Sequence, residues 1–125
     1  MSLPVPSRNV SDVVILDVPH KFWLHSVRLR DHIRGMLNNG VRAFVLNLEN
    51  VDYVDSMAIG QLVSVWTIAR DNGARVTLLK PSRRVQIALQ LTRLDDVFQV
   101  FDDEAEAVSG SRESGPARPG DSLSS

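Results

Sequence analysis

An α/β fold on a largely parallel sheet is predicted by three features of this 125-residue chain. Short runs of strand formers alternate with segments of helical periodicity, glycines and a capping serine mark the changes, and no repeat appears at a period of roughly 20 to 50 residues. Strands that alternate with helices require right-handed crossovers, so consecutive strands lie parallel.

After a Pro-containing lead, Val13-Val14-Ile15-Leu16 reads as a buried strand that Pro19 limits. Phe22, Trp23 and Leu24 fit either a second edge strand or a packed loop. Leu29, Ile33, Met36 and Leu37 then fall on one helical face, and Asn38-Asn39-Gly40 ends that helix, because glycine takes the left-handed conformation common past a helix C-terminus. The next strand is Ala43 to Leu48. Behind the Asp52 to Ser56 connection, Ile59, Leu62, Val63 and Trp66 recur at helical spacing up to a second glycine stop, Asp71-Asn72-Gly73.

Val76-Thr77-Leu78-Leu79 forms a further strand, broken by Lys80-Pro81, and Ser82 is a good cap for a helix that carries Val85, Ala88 and Leu89 on one side. A last strand is expected at Phe98-Gln99-Val100-Phe101, followed by a short acidic helix capped by Asp102 or Asp103 and running through Val108. The domain is therefore drawn over residues 1–108. Residues 109–125 are mostly Ser, Gly, Pro, Arg, Asp and Glu with one leucine, too little apolar surface to offset the entropy of ordering, and read as a disordered tail.

Composition narrows the function. The chain is 43% hydrophobic and 23% charged with a net charge of -1, so it lacks the strongly basic face of a general nucleic-acid binder. With no cysteine there is no disulfide, thiolate metal site or cysteine nucleophile. No apolar run reaches the roughly 20 residues needed to span a bilayer and the N-terminal residues do not read as a signal peptide, so the cytoplasm is the expected compartment. His20, His25 and His32 lack metal-site spacing, Ser56 has no Gly-x-Ser-x-Gly elbow, and no phosphate-binding glycine loop is present. No catalysis, metal or cofactor is expected.

Ser56 stands out. It lies in Asp55-Ser56-Met57-Ala58-Ile59-Gly60, at a helix entrance and at the C-terminal end of a parallel strand, where sheets of this kind bind ligands and partners. Its hydroxyl suits a helix cap, and it equally suits a phosphate, because unpaired N–H groups and partial positive charge lie at a helix N-terminus.

These residues carry a resemblance. The strand Phe44-Val45-Leu46-Asn47-Leu48, the spacer Val51-Asp52-Tyr53-Val54, the motif Asp55-Ser56-x-x-Ile59-Gly60 and the segment Gly73 to Leu79 resemble the STAS family, in particular its single-domain anti-sigma factor antagonists. The resemblance implies a small mixed, mostly parallel sheet of four to five strands with helices mainly on one side. It implies Ser56 as phosphoacceptor, with Asp52, Asp55, Met57, Ala58 and Gly60 as partner-contact candidates. The implied partners are an anti-sigma factor with serine kinase activity and a PP2C-type phosphatase, acting on a monomer or weak dimer. Unmodified antagonist would hold the anti-sigma factor and free a sigma factor, and a phosphate, adding about 1.5 to 2 negative charges beside Asp52 and Asp55, would end the complex.

Met57 and Ala58 depart from the usual motif, as does the Asp17 to Leu24 stretch. The first two motivate an alternative, a non-switching STAS scaffold subunit of a stress-signalling or lipid-transport complex. Small-ligand sensing at the sheet edge has no convergent polar set to support it. A response-regulator receiver with Asp17 as acceptor lacks the earlier acidic pair that would hold magnesium.

Overall fold

The computed structural model describes residues 7–18, 27–52 and 54–113. Five strands form one sheet in the order β1-β2-β3-β4-β5, with β1 at Ser7–Val10, β2 at Val13–Asp17, β3 at Ala43–Asn47, β4 at Arg75–Leu79 and β5 at Gln99–Phe101. The last four are parallel and β1 is antiparallel to β2. Helix α1 spans Val27–Asn38, α2 Ser56–Asp71, α3 Arg83–Leu91 and α4 Glu104–Glu113, with a 3-10 turn at Leu94–Asp96 before β5.

The alternation of side chains along the strands decides what each face buries. Val14, Leu16, Phe44, Leu46, Val76 and Leu78 join Leu29, Ile33, Leu62, Val65, Val85 and Leu89 in the main core, so α1, α2 and α3 share one face. Val13, Ile15, Ala43, Val45 and Leu79 point the other way and are covered by Ala107 and Val108 of α4. Burial on both faces explains the continuous apolar runs of β2 and β3.

Two differences from the sequence expectations have physical causes. The lead into β2 contains a strand, β1, whose residues are largely exposed and polar, so its hydrogen bonds to β2 rather than any apolar pattern define it. Helix α4 continues five residues past Val108, into the segment 109–125 expected to be a disordered tail. Gly110 makes that possible, since a Cβ there would stand 2.6 Å from the Phe101 ring, and the Ser111 hydroxyl, almost fully buried, lies 2.9 Å from Thr77 Oγ1. A polar-looking segment is thus fastened by one close approach and one buried hydroxyl pair. Tail residues 114–125 and the Phe22-Trp23-Leu24 segment lie outside the described residues, as do His20, His25 and Tyr53.

Other expectations hold. Gly73 takes φ +69° at the end of α2, and Ser82 caps α3 by accepting the Val85 N–H at 3.2 Å. Asp103 is the cap of α4, accepting the Glu106 N–H at 3.0 Å.

At the C-terminal end of β2, Arg8 donates to both carboxylate oxygens of Asp17 at 2.8 and 3.0 Å and to Glu104 at 3.0 and 3.2 Å, tying β1 and β2 to α4. Hydrogen bonds from Arg8 hold the Asp17 carboxyl below its ordinary value near 3.8, against partial burial that pushes it up, with Asn47 adding a further lowering bond. A depressed folded-state pKa contributes stability that is complete above the unfolded value and is lost as pH falls through the folded one. Asp17→Asn is therefore expected to destabilise the protein at neutral pH, and the difference from wild type should shrink below pH about 4, as read from urea unfolding across that range.

Candidate functional site

The loop from Leu48 to Asp55 leaves the central strand β3 and enters α2, and a succession of contacts fixes its course. Asn47, with little exposure, donates its amide to Asp17 Oδ1 at 2.8 Å and accepts the Glu49 N–H at 3.1 Å. Leu48 donates its N–H to the Leu79 carbonyl at 2.8 Å, and Leu48 and Val51 are buried. Glu49 pairs with Lys80 at 3.9 Å across the exposed rim. Ser82 Oγ donates to the Asp52 carbonyl at 3.3 Å, so the cap of α3 also holds the loop that leads to α2. Val54 packs against the core.

Asp55, rather than Ser56, is the N-cap of α2. Its backbone is extended at φ -98° and ψ -175°, and its Oδ1 accepts the Ala58 N–H at 2.9 Å while its carbonyl accepts the Ile59 N–H at 2.9 Å. Adjacent Asp and Ser are both strong cap formers, and the residue whose backbone stays extended takes the role. Ser56 therefore becomes the first helical residue, and its side chain is exposed. The first two N–H groups of a helix have no intrahelical partner, so partial positive charge lies directly beside that hydroxyl. Asp55→Ala should cost about 1 kcal/mol of stability while Asp55→Asn keeps most of it, measured by thermal or urea denaturation.

The other site residues separate sharply. Met57 is 57% exposed beside Ser56, and Gly60, one turn on, is exposed, and a Cβ there would meet nothing within 4 Å beyond its chain neighbours and the backbone of its own helix. Close packing within the chain is thus not the reason for that glycine. The side chain of Asp52 is also exposed. Ala58 is the correction: it is fully buried in the main core, pointing to the sheet, so it supports the first turn of α2 and presents nothing to a partner. Ile59 and Trp66 pack on the core as expected, with Arg70 stacked 4.7 Å from the Trp66 ring centroid, whereas Val63 faces outward.

Sequence reasoning missed the supports of this loop, Asn47 and the second bond of Ser82. Their signal is weak, because a polar residue ending a strand and a serine before a helix each have an ordinary local use. Among the described residues, no helix is long and apolar enough to cross a membrane.

The chain is thus a small, mostly parallel α/β sheet domain with an exposed serine on the first turn of the helix that follows its central strand. The STAS domain family matches residues 7–107, and the chain belongs to that family. A Thermotoga maritima protein provisionally named an anti-sigma factor antagonist is 29% identical over 105 residues, covering 82% of this chain and 93% of that protein. A crystal structure of a protein from that organism with the same provisional name superposes with a TM-score of 0.75 at 27% identity, covering 87% of this chain and 95% of that one. The anti-sigma-B factor antagonist of Staphylococcus aureus is 31% identical over 72 residues, 58% of this chain and 67% of its own. The phosphorylated form of the Bacillus cell fate determinant SpoIIAA shares the fold, with a TM-score of 0.68 at 21% identity over 86% of this chain and 99% of that one.

Proposed function

We propose that this chain is an anti-sigma factor antagonist switched by phosphorylation of Ser56. The observation that carries the reading is the division of labour at the start of α2: Asp55 satisfies the helix end, so the Ser56 hydroxyl is exposed and free of structural duty. Unmodified protein binds a kinase-type anti-sigma factor through the surface around Ser56, Met57, Gly60, Asp55 and Asp52, and a sigma factor is released. The partner kinase then ends the complex. The Ser56 oxygen attacks the γ-phosphorus of ATP, an O–P bond forms as the bond to the β-phosphate oxygen breaks, and the serine proton passes to a base of the kinase. A PP2C-type phosphatase restores the hydroxyl, and the cycle runs in the cytoplasm without a cofactor of its own.

Displacement tests this reading. Added to a preformed complex of a candidate anti-sigma factor and its sigma factor, the unmodified protein is expected to release the sigma factor, read by size-exclusion chromatography. Failure to release sigma from any kinase-type anti-sigma factor encoded beside it would remove the proposal and favour the scaffold reading, which rests on the exposed Met57 in place of a second hydroxyl.

A further inference from the structure

Asn47 is a buried amide at the end of an otherwise apolar strand. It closes β3, 9% exposed, and stands in register between Asp17 of β2 and Leu79 of β4. Burying an amide is costly unless its hydrogen-bonding groups are used, and here both ends are: Nδ2 donates to Asp17 Oδ1 at 2.8 Å and Oδ1 accepts the Glu49 N–H at 3.1 Å. An aliphatic side chain of similar size would serve the sheet as well, so what the amide adds is a hold on the loop that leads to Ser56.

That hold is anchored well away from the loop. Alternation along β2 and β3 puts Asp17 and Asn47 on the side of Val13, Ile15, Ala43 and Val45, the sheet face that α4 covers. There Arg8 of β1 donates to both oxygens of Asp17 and to both oxygens of Glu104, in the first turn of α4. Glu104, Arg8, Asp17, Asn47 and the Glu49 N–H thus form one chain of hydrogen bonds, each 2.8 to 3.2 Å long, that runs from α4 across β1, β2 and β3 to the loop. Every link except the last has an ionised partner, which makes those links the stronger kind.

We infer that Asn47 is a positioning residue for phosphorylation of Ser56, and that Asp17 and Arg8 act through it. The inference rests on the switch reading above and names the device that keeps the loop in the course a kinase reads. Asn47 fixes the departure of the loop from β3, and Ser82 Oγ holds its middle through the Asp52 carbonyl at 3.3 Å, so the path to Asp55 and Ser56 is set at two points. With the first point released, the loop takes other courses, the fraction of molecules competent to dock falls, and the apparent affinity falls by the same factor. The chemical step in the docked complex does not involve Asn47, so KM rises while kcat holds.

Asn47→Leu keeps the approximate volume and removes both bonds. Amide hydrogen exchange of the free protein, followed by NMR, should show the Glu49 N–H exchanging about tenfold faster or more, while the Ile59 N–H, bonded to the Asp55 carbonyl, exchanges as in wild type. With a kinase-type anti-sigma factor and ATP, KM for the variant should rise about tenfold with kcat unchanged. Arg8→Gln should raise KM less, and add nothing once Asn47→Leu is present, because both act along one chain. Asn47→Asp keeps the acceptor for the Glu49 N–H but sets one carboxylate against another; adding Asp17→Asn returns a donor to the pair and should bring KM part of the way back. Ile33→Val, a core change on α1 that also costs stability, should leave KM alone. An unchanged Glu49 exchange rate overturns the inference, as does a wild-type KM in Asn47→Leu or an equal rise in Ile33→Val. Wild-type protein left unlabelled at Ser56 removes the switch reading and the role built on it, so the two failures are told apart by which protein shows them.

Discussion

A phosphate on Ser56 is expected to weaken the complex with a kinase-type anti-sigma factor roughly a hundredfold while the melting temperature of the free protein changes little. The two effects separate because they draw on different parts of the site. Within the chain, the added charge meets unpaired N–H groups and the positive end of α2, a favourable interaction of about 0.3–1 kcal/mol that offsets repulsion from Asp55 and Asp52. Across an interface no such compensation exists: one like charge at roughly 5 Å, with an effective dielectric near 20, costs about 3 kcal/mol before salt screening, which corresponds to that hundredfold. Ser56→Asp should reproduce the direction with a smaller effect, because a carboxylate carries less charge than a phosphate. Ser56→Ala should bind as tightly as wild type and melt at the same temperature, since Asp55 supplies the cap.

The largest loss of stability is expected from Phe44→Ala. Phe44 lies on β3, the central strand, with no exposed surface, among the residues that join the sheet to α1, α2 and α3. Removing a buried aromatic ring forfeits its transfer free energy and leaves a cavity that close-packed neighbours cannot fill, at a cost of about 3–5 kcal/mol. Against the 5–15 kcal/mol typical of a domain, that loss should be visible as a large fall in the urea midpoint with little change in slope. Ser56 in the fraction that remains folded should still accept phosphate at the wild-type rate, because its side chain is on the exposed side of α2, outside the core in which Phe44 packs.

The two kinds of residue differ in how plainly the sequence announces them. Val13 to Leu16, Ala43 to Leu48 and Val76 to Leu79 are readable because a strand buried on both faces must be apolar throughout, and Gly40 and Gly73 are readable because few other residues take a positive φ at low cost. Strand β1 is not, since its Ser7, Arg8 and Asn9 are exposed and only backbone pairing with β2 makes them a strand. The end of α4 is hidden for a related reason: a glycine and a serine, which suggest a loose tail, here provide a close approach to Phe101 and a buried contact with Thr77.

At the site, the sequence places the helix entrance within one residue but leaves the cap ambiguous between Asp55 and Ser56, because the choice depends on which backbone is extended. Ala58 is misjudged because its burial follows from the rotation of α2 about its axis, which the motif alone does not set. The correction narrows the exposed site to the serine, Met57, Gly60 and the flanking aspartates. Ala58 and Leu62 hold the inner side of α2 to the sheet, so under the proposed function a partner is expected to meet its outer side.

Site mapping tests the central claim most directly. After incubation with the cognate anti-sigma kinase and ATP, peptide mass spectrometry is expected to find a single phosphate on the peptide that contains Ser56 and none on the Ser56→Ala protein. Phosphate on another residue, with Ser56→Ala labelled as well as wild type, would contradict it.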